Sequence, residues 1–106
     1  MSFFDIFKSK SMFQEVKECL ATPNALLLDV RSAGEYRTGH IPGSINVPLK
    51  SIHQVDNIAK SKDVLICVYC QSGIRATNAV TSLKGRGYTN VKNLGSIKKY
   101  RGMIER

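Results

Sequence analysis

The sequence predicts an α/β fold, a mostly parallel sheet held between helices on both faces, and three observations carry that expectation. Two short continuous apolar runs, ALLLDV at residues 25–30 and DVLICVY at 63–69, have the length and branched content of strands buried on both faces. Segments with helical apolar spacing alternate with these runs, the pattern of crossover units joining parallel strands. The chain has 106 residues, enough for one core and too few for two, so a single domain spanning 1–106 is expected.

In chain order, SMFQEVKECL opens with Ser11 and carries Gln14 three residues later, a helix-capping arrangement. Met12, Val16, Cys19 and Leu20 follow at helical spacing, so this helix is amphipathic. The first strand comes after Asn24 and ends near Asp29 and Val30. RSAGEYRTGH repeats the capping arrangement through Ser32 and Glu35, and the short helix it opens stops at Gly39. IPGSINVPL is too rich in Pro and Gly for a helix, and its middle, 45–47, suits a very short strand. Residues 51–60 place Ile52, Val55, Ile58 and Ala59 on one helical face. After the second apolar run, RATNAVTSLKGRG turns Ala76, Ala79, Val80 and Leu83 inward and ends at Gly85 or Gly87. TNVKNL reads as a last strand and SIKKYRGMIE as a last helix. No internal repeat, low-complexity tract or linker interrupts this order.

Sixteen Lys and Arg against eight Asp and Glu give a formal charge of +8, with the excess concentrated after residue 70. Such a potential draws anions, whether small oxyanions, acidic proteins or nucleic acid, although most of these charges read as solvated surface. No helix-turn-helix pattern, RNA-binding aromatic signature or zinc-finger spacing is present, so nucleic acid is not the expected partner. No segment approaches the roughly 20 consecutive apolar residues of a membrane span, and no membrane role is expected. The opening MSFFDIFKSKSMFQEV lacks the basic start and long apolar core of an export signal. With three unevenly spaced cysteines, Cys19, Cys67 and Cys70, this suits free thiols in a reducing, cytoplasmic setting.

The stretch VYCQSGIRATNAV holds the chemistry. Cys70 stands where a buried strand meets a helix, so its sulfur faces unpaired N–H groups and the positive end of the helix dipole. Such a setting favours the thiolate, which is the reactive form. Gly73 permits a turn with positive φ, so that amides of Gln71, Ser72, Gly73, Ile74 and Arg75 converge as an anion-binding nest. Arg75 closes the loop with a permanent cation able to hold an oxyanion bidentately. The competing expectation is a small buried thiol that merely packs. Cys19 and Cys67 fit that description, whereas Cys70 has polar neighbours.

CVYC also raises a redox or zinc site. On an extended strand positions 67 and 70 stand about 10 Å apart at ~3.3 Å per residue, while a disulfide needs Cα atoms within roughly 7 Å. Zinc needs two further ligands, and Cys19, His40 and His53 offer none at paired spacing, so no metal or cofactor is expected. His40, between Gly39 and Ile41-Pro42, suits a hydrogen bond to the backbone of an irregular turn better than a role as base. His53 reads as a solvated helix residue. Asp29 and Arg31, ending the other strong strand, belong at the same sheet edge as Cys70, as a buried carboxylate with its arginine that stiffens the floor of the loop.

With LLLDVRSAGEYRTGHIPGSINVPL and VLICVYCQSGIRATNAVTSLKGRGYTNVKNLGSI in view, the chain resembles a single-domain rhodanese, the sulfurtransferase family, from about residue 13 to about 104. The resemblance implies a three-layer α/β fold with a central sheet of about five strands, and a cysteine that cycles through a persulfide. On that footing Cys70 takes a sulfane sulfur from thiosulfate or a related small anionic donor, and passes it to a thiol, cyanide or protein acceptor. The Gln71–Arg75 amides would hold the persulfide and Arg75 the donor. Rhodanese-like phosphatases and arsenate reductases place five residues between Cys and Arg; here four intervene, which favours sulfur chemistry. Ser96 and Tyr100 stand where such domains often carry Gly and Trp, a departure expected to alter only packing. Ile74 makes the loop more apolar than forms built around thiosulfate, which puts protein or low-molecular-weight persulfides alongside it as donors. The alternative from another class is a non-catalytic or sulfur-relay binding module that docks on an acidic protein partner.

Overall fold

Hydroxyl caps and apolar runs lay down the elements as the patterning requires. The structure, a computed structural model, describes residues 10–106; the first nine residues of the stretch used above to argue against export lie outside the described residues. Ser11 Oγ accepts the Gln14 amide at 3.1 Å and opens α1 (Met12–Ala21), which buries Met12, Val16 and Cys19. Leu20, expected on that face, is half exposed. Strand β1 (Leu26–Asp29) is buried throughout, and Ser32 and Glu35 form a reciprocal capping box at the start of α2 (Ala33–Thr38). Strand β2 (Ile45–Asn46) is very short. Strand β3 (Ile66–Cys70) is buried along its whole length, α3 (Ile74–Gly85) follows it, and β4 (Val91–Ser96) completes the sheet.

The four strands run parallel in the order β2-β1-β3-β4. Alternation along β1 and β3 splits the core in two. Leu28, Ile66, Val68 and Cys70 pack with Val55, Ala76, Ala79 and Leu83 on the α3 side. Leu27, Cys67 and Tyr69 pack with Val16, Cys19 and Ile41 on the α1 side. Each such aliphatic side chain contributes about 1.5–3 kcal/mol through burial. Between β3 and β4 the register slips by one: Val68 pairs with Asn93 but Tyr69 with Gly95, so Leu94 is an extra residue and Cys70 comes to face Ser96.

Three expectations are corrected. The sheet has four strands among the described residues, not about five. Near its margin His40 and Glu105 make a single antiparallel bridge, which Pro42 and the left-handed Gly43 stop from growing by turning the chain away. The helix expected over 51–60 is a 3-10 helix over Leu49–Asn57 with a kink at Ser51. Its i, i+3 repeat aligns Ile52 and Val55 toward the core, and the helix ends at Asn57, so Ile58 falls at the C-cap beyond that face and is 41% exposed. The last helix shrinks to a 3-10 turn at Ile97–Lys99, after which the chain extends to pair Glu105 with His40. Gly102 sits there against Tyr100, where a Cβ would lie 2.3 Å from the phenol oxygen.

Candidate active site

The two central strands end side by side, so the residues that follow β1 and β3 share one edge of the sheet. Cys70 is the last residue of β3 and has no exposed surface. Its Sγ accepts the Gly73 amide at 2.9 Å and the Ala76 amide at 3.3 Å. Gly73 makes this possible with φ 100°, a left-handed conformation that curls the loop back over the sulfur immediately ahead of α3. A sulfur that receives two N–H donors at a helix N-terminus is set up to carry negative charge. Of the five amides expected to converge, Gln71 to Arg75, that of Gly73 reaches the sulfur, and the second donor is Ala76, one residue beyond the expected set.

The loop is pinned from two sides. Ser96, opposite Cys70 in the register, donates its hydroxyl to the Gln71 carbonyl at 2.5 Å and accepts the Lys98 amide at 3.1 Å. It holds the loop as well as filling space, which corrects the expectation that its presence alters only packing. On the other side Arg31 Nη1 donates to Gln71 Oε1 at 3.1 Å. Ser72 and Ile74 point to solvent, Ile74 with 70% of its surface exposed.

Beneath the loop lies the expected buried pair. Arg31 donates through Nε to both Asp29 oxygens at 3.0 Å and through Nη2 to Asp29 Oδ2 at 2.7 Å. Nη2 also donates to the Gly39 carbonyl at 2.6 Å, and Asp29 Oδ1 accepts the Arg31 amide. Asn46 ties the Asp29 and Arg31 carbonyls together, and the guanidinium lies 5.8 Å from the Tyr69 ring centre. Every buried side-chain nitrogen and oxygen among the described residues has a partner. Burial pushes the Tyr69 hydroxyl above its ordinary range.

Arg75 departs from expectation. It does not stand free at the mouth of the loop: Nη1 donates to Glu35 Oε1 at 2.7 Å and Nη2 to Glu35 Oε2 at 2.9 Å. Glu35 Oε1 also accepts the Ser32 amide at 3.0 Å, so the capping box of α2 and the Cys70 loop share one carboxylate. The Arg75 guanidinium, with help from the Ser32 amide, holds that carboxyl down at about 2. Next to the pair opens a cleft of about 440 Å³ lined by Val30, Ser32, Ala33, Pro48, Leu49, Lys50 and Arg75.

The remaining candidates lie elsewhere. His40 stacks on Tyr36 with ring centres 3.7 Å apart and contacts the Tyr36 carbonyl through Nδ1 at 2.8 Å, in keeping with a backbone-bonding role. All three cysteines are free and buried. Cys67 belongs to the α1-side core and Cys70 to the α3-side core, so the two face opposite sides of the sheet. Among the described residues no helix is long and apolar enough to cross a membrane.

Comparison with known proteins agrees with this architecture. A family model described as rhodanese-like domain matches residues 12–102. The uncharacterized protein YqhL of Bacillus subtilis is 38% identical over 82 residues, covering 76% of this chain and 64% of YqhL. The tRNA uridine(34) hydroxylase of Buchnera aphidicola is 36% identical over 93 residues, 82% of this chain but 30% of that enzyme. Thiosulfate sulfurtransferase PspE of Escherichia coli is 35% identical over 72 residues, 67% of this chain and 69% of PspE. A structure of rhodanese with anions from E. coli superposes with a TM-score of 0.72 at 30% identity, covering 76% of this chain and 96% of that one.

Proposed function

The chain belongs to the rhodanese-like domain family, and from that premise we propose that it is a sulfurtransferase that carries sulfane sulfur on Cys70. The observation that carries the proposal is the Cys70 sulfur receiving the Gly73 and Ala76 amides at the start of α3. The Cys70 thiolate attacks the outer sulfur of thiosulfate or a related persulfide donor. The donor S–S bond breaks, its electron pair leaves with sulfite or the donor thiolate, and Cys70 holds a persulfide. An acceptor thiolate then attacks the terminal sulfur, takes it as a new persulfide and restores the Cys70 thiolate; cyanide as acceptor leaves as thiocyanate. The loop amides that bond the resting sulfur are placed to stabilise the charge that moves onto and off it.

Cys70 has no exposed surface, so a donor reaches it when the 71–75 segment moves outward. The exposed Ser72 and Ile74 have room for that motion. The formal charge of +8 supports an acidic protein among the acceptors. Incubation with thiosulfate, followed by intact mass measurement, should add 32 Da to the wild type and nothing to Cys70→Ser. A folded wild type that gains nothing from thiosulfate or from a low-molecular-weight persulfide would overturn the proposal. A Cys70→Ser protein that still gains 32 Da would move the chemistry to Cys19 or Cys67.

A further inference from the structure

The geometry points to Glu35 as the residue that sets which donors the Cys70 loop accepts, by neutralising the loop's arginine. The inference deepens the sulfurtransferase proposal and rests on it for the identity of the donor, though its first measurement does not depend on sulfur transfer. Glu35 and Arg75 meet as a two-pronged pair at 2.7 and 2.9 Å across 40 residues of sequence. The carboxylate is held independently of Arg75, because Glu35 Oε1 takes the Ser32 amide and Ser32 Oγ takes the Glu35 amide at 3.2 Å. Glu35 is thus fixed before any donor arrives, and it confronts the one guanidinium that the loop itself supplies.

The two charges cancel at the mouth. A dianion such as thiosulfate meets the amides of the loop and an arginine already committed to a fork, so it must compete with a fixed carboxylate for the same N–H groups. Glu35 also repels it directly. A persulfide, which carries one charge at most on its sulfurs, loses far less from that arrangement. The exposed Ile74 and the cleft walls Val30, Ala33, Pro48 and Leu49 offer apolar contact to an organic donor, beside Ser32 and Lys50 in the same lining. The loop therefore selects organic persulfides over thiosulfate, and Glu35 is the selecting residue.

Glu35→Gln tests this while preserving the helix start, since Gln also serves at the third position of a capping box. Sulfate serves as an unreactive tetrahedral dianion, with the Gly73 and Ala76 amide resonances reporting its binding in wild type, Glu35→Gln, and the double variant Glu35→Gln with Arg75→Gln. The expected result is sulfate affinity about tenfold tighter in Glu35→Gln than in wild type, a factor typical of one charge interaction, and return to the wild-type value in the double variant. Affinity within twofold of wild type in Glu35→Gln, or a gain that survives in the double variant, overturns the inference. Donor kinetics supply the second readout: in Glu35→Gln the KM for thiosulfate falls while the KM for 2-hydroxyethyl persulfide stays put. An equal change for both donors, or a change confined to kcat, also overturns it. If sulfate tightens as expected but no donor adds 32 Da to Cys70, the sulfurtransferase proposal fails and Glu35 still governs anion affinity. If thiosulfate loads the wild type and sulfate affinity ignores Glu35, the reverse holds.

Discussion

Two acid–arginine pairs lie at the same edge of the sheet, and they differ in almost everything except their chemistry. In Asp29–Arg31 the side chains are 0% and 4% exposed, and three further hydrogen bonds, from the Arg31 amide, to Gln71 Oε1 and to the Gly39 carbonyl, hold them. In Glu35–Arg75 they are 34% and 36% exposed, with solvent on the outer side. Burial makes the first pair a frame, because neither charge can be left without the other. Partial exposure leaves the second pair adjustable, since water and salt take up much of what is lost when it opens. The same two functional groups thus hold the loop floor in one place and tune its charge in the other.

The largest effect expected from this contrast comes from Arg31→Leu, which strands the Asp29 carboxylate and should cost about 3–5 kcal/mol in urea unfolding, as removal of one member of a buried pair does. Arg75→Ala should cost no more than about 1 kcal/mol in the same measurement; equal losses would erase the distinction between frame and tuner. Ser96→Ala lies between them, at about 1 kcal/mol for a lost hydrogen bond to the Gln71 carbonyl. Its sharper signature is faster amide hydrogen exchange at 71–76 with the rest of the sheet unchanged.

The smallest effect is a dependence on acid. Glu35 titrates at 4.5 when unperturbed and at about 2 in the fold, so its contribution is present in full above pH 4.5 and fades as pH falls toward 2. Wild-type stability should therefore drop more steeply than that of Glu35→Gln between those two values, and run parallel to it from pH 5 to 8. Parallel curves throughout would mean that the pair adds nothing to the fold.

Much of this arrangement was legible in the sequence. Both serine N-caps, the two buried strands, the placement of Cys70 at a strand end and the pairing of Asp29 with Arg31 rest on local signals, and local signals survive folding. Glu35 was visible as a cap residue, and that role concealed its second one: nothing in a linear sequence says that N3 of one helix meets the second residue of another 40 positions on. An acidic first turn after one central strand and a basic one after its neighbour were the signal available. The 3-10 helix at Leu49–Asn57 was missed because Ile52, Val55 and Ile58 fit both a 3.0 and a 3.6 repeat over so short a span. The final helix was overridden by backbone pairing of Glu105 with His40, both bonds at 2.8 Å, a contact 65 residues apart.

The extra Leu94 in β4 bears on how such a chain tolerates insertions and deletions. It is one residue, yet it decides that a hydroxyl rather than a glycine stands across from Cys70. Loss of Leu94 itself would close the bulge and leave Ser96 opposite Cys70, whereas loss of a paired position such as Lys92, with the bulge kept, would bring Ile97 to that place and take the hydroxyl from the Gln71 carbonyl. Diversity in this part of a lineage should accordingly accumulate by substitution at the paired positions, with Leu94 the place where a residue can be dropped, while the exposed Lys60–Ser61, ahead of the Lys62 carbonyl that takes the Thr89 amide, have room for added length.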